Sequence, residues 1–276
     1  MTKNKNVAIF PNITKDIDLT YTKVLIEYLK NKGYDIYLEQ ELSNRVDGVS
    51  YRPVAQVCEI CEFGIVLGGD GSILSKATVA SKYDIPILGI NLGSVGYLTD
   101  VEKEQGIEAI EKYLQGNYVM EKRMMIETVV EEKIERALNE ICVVKGSFSK
   151  IITLDINVNG EYIDTYRADG ILISTPSGST AYNLAAGGPI VKPDLDVMVI
   201  TPICPYKLIT RPLVVNGNDV VKISALDYRN VIISIDGISK ALNEPLTITK
   251  SNNYLKIIRT STHNFHHSLR TKLGTL

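Results

Sequence analysis

The sequence predicts an α/β N-terminal domain with a parallel Rossmann-like sheet, followed by an all-β C-terminal sandwich domain. Over the first hundred residues, short apolar runs alternate with helical stretches, as expected of a parallel sheet covered on both faces. From Tyr118 onward, strand patterns follow one another without helices long enough to cover such a sheet. The length of 276 residues exceeds one ordinary core and suits two domains of roughly 100 to 150 residues. The texture change places residues 1–100 in the first domain, rejoined by the tail 256–276, and residues 101–255 in the second.

The first strand is the apolar run at Val7-Ala8-Ile9-Phe10, followed by a helical stretch from Ile17 through Leu25, Tyr28 and Leu29 that Gly33 closes. Tyr34 to Leu38, Phe63 to Leu67 and Ile85 to Ile90 read as further strands, with a helix near Glu102 to Leu114 ending the pattern. In the second half, Leu154 to Ile163 alternates with period two around the turn Asn159-Gly160, a hairpin signal. Val220 to Ile223, Val231 to Ile235 and Leu246 to Thr249 continue in that style and predict an antiparallel sandwich.

Lysine and arginine number 30 against 32 acids, a net charge of −2, so the chain offers no general attraction to nucleic acid or to an anionic membrane. No apolar run approaches the ~18 residues of a membrane span, and the polar start has no signal region behind it, which predicts a cytoplasmic protein. Four cysteines do not make a disulfide framework, and Cys58-Glu59-Ile60-Cys61 lacks the second pair of a zinc site, so these read as buried thiols. His263, His266 and His267 fall in a helical tail, where His263 and His267 could share a face; with no carboxylate nearby they read as a solvated or packing tail, and no metal-ligand set is expected.

The run Gly68-Gly69-Asp70-Gly71-Ser72 follows a strand and opens a helix whose apolar pattern is Ile73, Leu74, Ala77 and Ala80. Glycines let a polyphosphate approach backbone N–H groups and a helix N-terminus adds anion affinity, so Gly68, Gly69, Gly71 and Ser72 are candidate phosphate-binding residues. An aspartate repels phosphate, so Asp70 invites the reading of a base for a hydroxyl; plain turn chemistry explains the same Gly-Asp-Gly equally well. The run Asn91-Leu92-Gly93-Ser94-Val95-Gly96 falls at the same end of the sheet, beyond the strands, where ligands of such sheets sit. Asn139-Glu140 at the entrance of a strand can hold a ribose diol, or be a solvated loop. In Asp169-Gly170-Ile171-Leu172-Ile173-Ser174-Thr175-Pro176-Ser177-Gly178-Ser179-Thr180-Ala181-Tyr182-Asn183 a strand enters a hydroxyl-rich turn. Tyr182 there adds an aromatic face suited to a flat base, and Gly187-Gly188 follows closely.

GGDGS at 68–72, ALNE at 137–140 and DGILISTPSGSTAYNLAAGGPI at 169–190 together resemble the NAD kinase family in order and spacing. The likeness extends to residues 91–99, to Arg211-Pro212-Leu213-Val214 and to Ile235-Asp236-Gly237, covering most of the chain. Ser72 stands where the family usually has threonine and Tyr97 where it usually has phenylalanine.

The resemblance implies transfer of the γ-phosphate of ATP to the 2′-hydroxyl of the adenosine ribose of NAD, giving NADP, with Mg²⁺ or another divalent cation accompanying ATP. It implies that Asp70 is the catalytic residue beside that hydroxyl, and that Asn139 and Glu140 hold the adenosine part. Ser177, Thr180, Ala181 and Tyr182 match the adenine pocket with Tyr97 at its wall, and Gly71 and Ala185 join the substrate-binding set. Asp169 and Asp236 correspond to aspartates near the nicotinamide side and the reacting centre. Residues 1–100 become the nucleotide-binding domain and 101–255 the dinucleotide-binding domain, in a homodimer or homotetramer whose neighbouring subunit completes the nicotinamide site. Arg167 is a candidate for steadying the pyrophosphate, or an ordinary surface strand charge. Lipid and sugar kinases share the glycine loop, and a non-catalytic dinucleotide sensor would share the binding residues; both stand as alternatives to NAD kinase.

Overall fold

The computed structural model describes residues 5–93, 96–146, 150–261 and 265–274. The chain forms two compact units, residues 1–122 with 255–276, and residues 123–254. The first unit thus extends past the expected limit at residue 100, because Gly106–Leu114 packs Ala109, Ile110 and Tyr113 into the first core rather than opening the sandwich.

The strands of the first unit are β1 (Asn6–Pro11), β2 (Asp35–Glu39), β3 (Ser50–Arg52), β4 (Phe63–Gly68), β5 (Ile87–Asn91), β6 (Val101–Glu102) and β7 (Val119–Arg123). Its helices in this stretch are α1 (Thr20–Asn31), α2 (Val54–Ile60), α3 (Asp70–Lys82) and α4 (Gly106–Leu114). Among the described residues the sheet runs β3-β2-β1-β4-β5, then Leu255–Arg259, then β7, with β6 paired to β5. The pairings β1 with β2, β1 with β4 and β4 with β5 are parallel. β4 and β5 are buried at every position, hence their unbroken apolar runs. α1 starts at Thr20, three residues after Ile17, because Asp16 accepts hydrogen bonds from the Tyr21 and Thr22 N–H groups and sets the entry. β3 has no counterpart in the sequence reading; it is three residues long and only partly buried, so it leaves no apolar run.

The second unit comprises β8 (Ile126–Val130), β9 (Lys133–Ala137), β10 (Glu140–Lys145), β11 (Ile152–Val158), β12 (Glu161–Ala168), β13 (Gly170–Ser174), β14 (Val197–Ile203), β15 (Leu213–Asn216), β16 (Val221–Ala225), β17 (Val231–Ile235), β18 (Ile238–Ala241) and β19 (Leu246–Lys250), with the one-turn helix α5 (Tyr182–Ala185). Two six-stranded sheets result among the described residues, ordered β15-β14-β13-β10-β17-β18 and β12-β11-β16-β19-β8-β9. Alternate residues of both sheets, such as Ile141, Val143, Ile171 and Ile233 against Leu154, Ile156, Ile223 and Ile248, fill one core. Burying each of these contributes roughly 1.5–3 kcal/mol. The β11–β12 hairpin turns at Asn159 and Gly160, both with positive φ, as an Asn-Gly hairpin turn requires.

The chain then returns to the first unit, pairing Ile257 with Ile87 of β5, and ends in α6 (Phe265–Leu273). His263 and the side chain of His267 lie outside the described residues, as do Ser94 and Val95. Among the described residues no helix is long and apolar enough to cross a membrane.

Candidate active site

β1 and β4 are neighbours, and the chain leaves them for opposite sides of the sheet, making the carboxyl ends of these strands a topological switch point. Gly68 ends β4 there, and α3 begins at Asp70, two residues before Ser72, where the sequence pattern puts its start. Gly69 is the N-cap in an extended conformation, so Asp70 occupies the first turn, where the helix dipole favours a carboxylate.

Asp70 Oδ2 accepts the Tyr97 N–H at 2.8 Å, and Oδ1 accepts those of Leu98 at 2.9 Å and Thr99 at 3.2 Å. The Thr99 hydroxyl donates to Oδ1 at 3.3 Å and the Lys272 ammonium to Oδ2 at 3.1 Å. Burial raises the carboxyl pKa, but the Tyr97 and Leu98 amides and the charge of Lys272 outweigh it and hold Asp70 below its ordinary value. Asp70 is therefore ionised at neutral pH. A Cβ on Gly96 would stand 1.7 Å from Asp70 Oδ1, so only glycine lets residues 96–99 close around this carboxylate.

An open cavity of about 310 Å³ adjoins the loop, lined by Asn12, Lys15, Gly69, Gly71, Ser72 and Ser75. Asn12 Nδ2 donates to Ser72 Oγ at 3.0 Å, and a Cβ on Gly69 would meet Lys15 Nζ at 3.4 Å. The open space over Gly71, where a Cβ would meet nothing within 4 Å, leaves its backbone approachable. Asn12 and Lys15 escaped the sequence reading, although their place just after the first strand puts them at its carboxyl end. Arg259 escaped it as well. Only 4 % of its side chain is exposed, and it donates to the Leu98 carbonyl at 3.0 Å, to Asp100 at 2.7 Å and to Glu121 at 2.6 Å. It thereby anchors the segment whose amides hold Asp70, and no local signal marks it.

In the second unit, the three N–H groups of Leu138, Asn139 and Glu140 donate to the Asp236 carboxylate at 2.7, 2.9 and 3.0 Å. Asp236, expected near the reacting centre, thus has both oxygens engaged in shaping the segment that carries Asn139 and Glu140. Burial leaves its pKa raised although the three amides pull it down. Glu140, only 9 % exposed, has its carboxyl pushed up to about 7, first by burial and then by the Asp236 charge. Its Oε2 is buried with no hydrogen-bond partner among the described residues. A buried acceptor of this kind fits a donor brought by a ligand, such as a ribose hydroxyl.

The hydroxyl-rich turn lies against the same segment. The Thr175 N–H donates to the Asn139 carbonyl at 2.9 Å, and a Cβ on Gly178 would fall 2.2 Å from that oxygen, so glycine is required for the contact. Asn183 is buried, donating to the Ser179 and Pro189 carbonyls and accepting from the Thr201 hydroxyl at 2.6 Å, which ties the turn to β14. Arg123, also missed, is buried and donates to Ser177 Oγ at 3.2 Å. Tyr182 and Ala185 are exposed on α5, and Thr180 and Ala181 are partly exposed beside them. The unit therefore brings together Asn139, Glu140, Ser177, Thr180, Ala181 and Tyr182. Tyr97 belongs to the first unit, with its ring 6.2 Å from that of Phe265 in α6. Asp169 pairs with Lys145 at 2.6 Å, whereas Arg167 is exposed and its guanidinium lies 5.3 Å from the Tyr206 ring centroid.

Among the described residues no group of three or more His, Cys, Asp or Glu could hold a metal. Asp70 already receives five donors, which leaves its carboxylate no free lone-pair site for a resident cation. Cys58 and Cys61 are buried thiols with pKa values pushed up to about 12 by burial above all.

Residues 7–118 match the family model of the ATP-NAD kinase N-terminal domain and residues 138–260 that of the C-terminal domain. An NAD kinase of Caldanaerobacter subterraneus subsp. tengcongensis is 39% identical over 98% of this chain and 99% of its own. One from Lachnoclostridium phytofermentans is 38% identical with the same coverage. Among solved structures, an NAD kinase from Archaeoglobus fulgidus in complex with ATP superposes with a TM-score of 0.78 at 26% identity, over 97% of this chain and 98% of that one. Yeast NADH kinase complexed with NADH, at 22% identity, shares the fold with a TM-score of 0.87 over 98% of this chain and 87% of its own. With both family models matched in order and relatives above 30% identity along nearly the whole length, this chain belongs to the NAD kinase family.

Proposed function

We propose that this protein transfers the γ-phosphate of ATP to the 2′-hydroxyl of the adenosine ribose of NAD, with Asp70 as the proton acceptor. The observation that carries the assignment is an ionised carboxylate set in the first turn of α3, inside a glycine loop bordered by Asn12, Lys15 and Ser72. As the hydroxyl oxygen bonds to the γ-phosphorus, its proton passes to Asp70 and the bond to the bridging oxygen breaks, with ADP leaving on that electron pair. Phosphoryl transfer asks for little covalent help, so an acid held below its ordinary pKa suffices as a late acceptor. A divalent cation bound with ATP would supply charge neutralisation on the donor phosphates. Gly68, Gly69, Gly71 and Ser72 present the α3 N-terminus to those phosphates.

From the second unit, Glu140 accepts from the ribose and Asn139 assists, while Asp236 positions both through their backbone. Ser177, Thr180, Ala181, Tyr182 and Ala185 take the adenine side. Asp169 and Arg167 serve the remainder of the dinucleotide. The exposed apolar side chains of Tyr206, Leu208 and Ile209 support a homodimer or homotetramer, which light scattering would reveal. A cytoplasmic location belongs to the same reading, and cell fractionation tests it.

Incubating the purified protein with NAD, ATP and Mg²⁺ should yield NADP, and omitting the cation should abolish it. Asp70→Asn should retain NAD binding and lose about 10²- to 10⁴-fold in turnover. Near-normal turnover in that variant would remove Asp70 from the proposed role. Phosphorylation of a diacylglycerol or fructose 6-phosphate instead of NAD would support a lipid or sugar kinase, and saturable NAD binding without product a sensor.

A further inference from the structure

The last helix of the chain carries a cation onto the proposed base. Lys272 Nζ lies 3.1 Å from Asp70 Oδ2 and 4.4 Å from the centroid of the Tyr97 ring. Phe265, two turns earlier in α6, packs on that same ring. Neither the glycine loop nor the residues brought in by family likeness include this lysine.

A carboxylate offers about four lone-pair sites. Asp70 already receives three backbone N–H groups, the Thr99 hydroxyl and Lys272. The amides and Thr99 belong to a segment that Arg259 fixes through the Tyr97 and Leu98 carbonyls, with Asp100 and Glu121 holding Arg259 in turn. Lys272 reaches Asp70 on a flexible four-carbon stem, and its side chain is 32 % exposed. An acceptor hydroxyl approaching Oδ2 therefore meets a donor that can swing aside at little cost, whereas the amides cannot.

We propose that Lys272 is a further residue of the phosphoryl-transfer site: it neutralises Asp70 in the free protein and turns to the transferred phosphoryl group when the acceptor hydroxyl takes its place on Oδ2. The inference rests on the function proposed above. The hydroxyl proton goes to Asp70. The exchange keeps Asp70 from facing the site as an unpaired charge, and it delivers a cation where negative charge is handed over. The charged or titratable groups around Asp70 are Lys272 from α6, the Tyr97 phenol from residues 96–99 and Lys15, whose Nζ lies 3.4 Å from where a Cβ on Gly69 would stand, with Arg259, Asp100 and Glu121 behind that segment. Of these, Lys272 forms the ion pair with Asp70.

The test uses full-length Lys272→Met and Lys272→Arg beside wild type and Asp70→Asn. Lys272→Met should lose about 10²- to 10³-fold in kcat, the effect of removing one charge-stabilising donor. Its NAD affinity by calorimetry should stay within about threefold, since a factor of ten would need about 1.4 kcal/mol of lost binding. The acidic limb of its kcat/KM profile should move to higher pH, because Asp70 loses the charge that favours its ionised form. Lys272→Arg should recover part of the turnover. Wild-type turnover and an unmoved acidic limb in Lys272→Met overturn the inference, as does a loss accompanied by an altered circular dichroism spectrum and not recovered by arginine. If Asp70→Asn is inactive while Lys272→Met is normal, only the inference fails. If wild type forms no NADP, the proposed function fails with it.

Discussion

Glu140→Gln tests the second unit through its pH dependence. Glu140 is buried beside Asp236, and its carboxyl rises from an ordinary 4.5 to about 7, owing first to burial and second to that neighbouring charge. A carboxyl with a raised pKa in the fold is accommodated as the neutral acid. Its contribution to stability is complete below pH 4.5, diminishes as the unfolded chain ionises, and is gone once pH passes about 7. At ~1.4 kcal/mol per unit, the whole shift corresponds to about 3 kcal/mol, most of it expressed between pH 5 and 8. Glutamine keeps the shape without the charge, so the stability of Glu140→Gln relative to wild type should improve by about 2–3 kcal/mol from pH 5 to pH 8. Urea unfolding followed by far-ultraviolet circular dichroism measures this, as the chain has no tryptophan. The same stability difference at both pH values would show that Glu140 does not titrate with a raised pKa, and the account of its buried, unpartnered oxygen would fall with it.

Two further predictions concern the first unit. Lys15→Met should raise the KM for ATP about tenfold or more, the scale of losing one charge-assisted hydrogen bond, while leaving the KM for NAD near its wild-type value; steady-state kinetics with an unchanged ATP KM would exclude Lys15 from the donor site. Gly96→Ala forces a methyl group to within 1.7 Å of Asp70 Oδ1. It should therefore cost about 10²-fold or more in turnover with NAD binding to the protein retained, and full turnover would mean that residues 96–99 do not govern Asp70.

Several features were legible in the chain because they are local. The alternation of apolar runs and helical stretches, the Asn159-Gly160 turn and the glycine loop each follow from backbone preferences of a few consecutive residues. The start of α3 differed by two residues because the apolar pattern begins at Ile73, whereas the helix is opened by the extended backbone of Gly69. The partners of Asp236 are not local either: its oxygens accept from three amides almost a hundred residues away. Residues 101–122 cluster with the first unit, which an amphipathic helix does not reveal by itself, because its pattern shows a buried face without showing which core receives it.

The sequence by itself determined the fold class of each half and the glycine loop that carries Asp70, since periodicity and turn chemistry act over a few residues; the Asn139-Glu140 pair and the hydroxyl-rich turn stood out through their order and spacing along the chain. Only the tertiary structure decided what surrounds the Asp70 carboxylate. Its partners come from residues 97–99 and from Lys272, 202 positions away, and the geometry of that segment depends on Arg259. Hydrogen bonds and ion pairs of this kind depend on distance in space, and the return of the chain into the first sheet beside β5 is what makes those distances short.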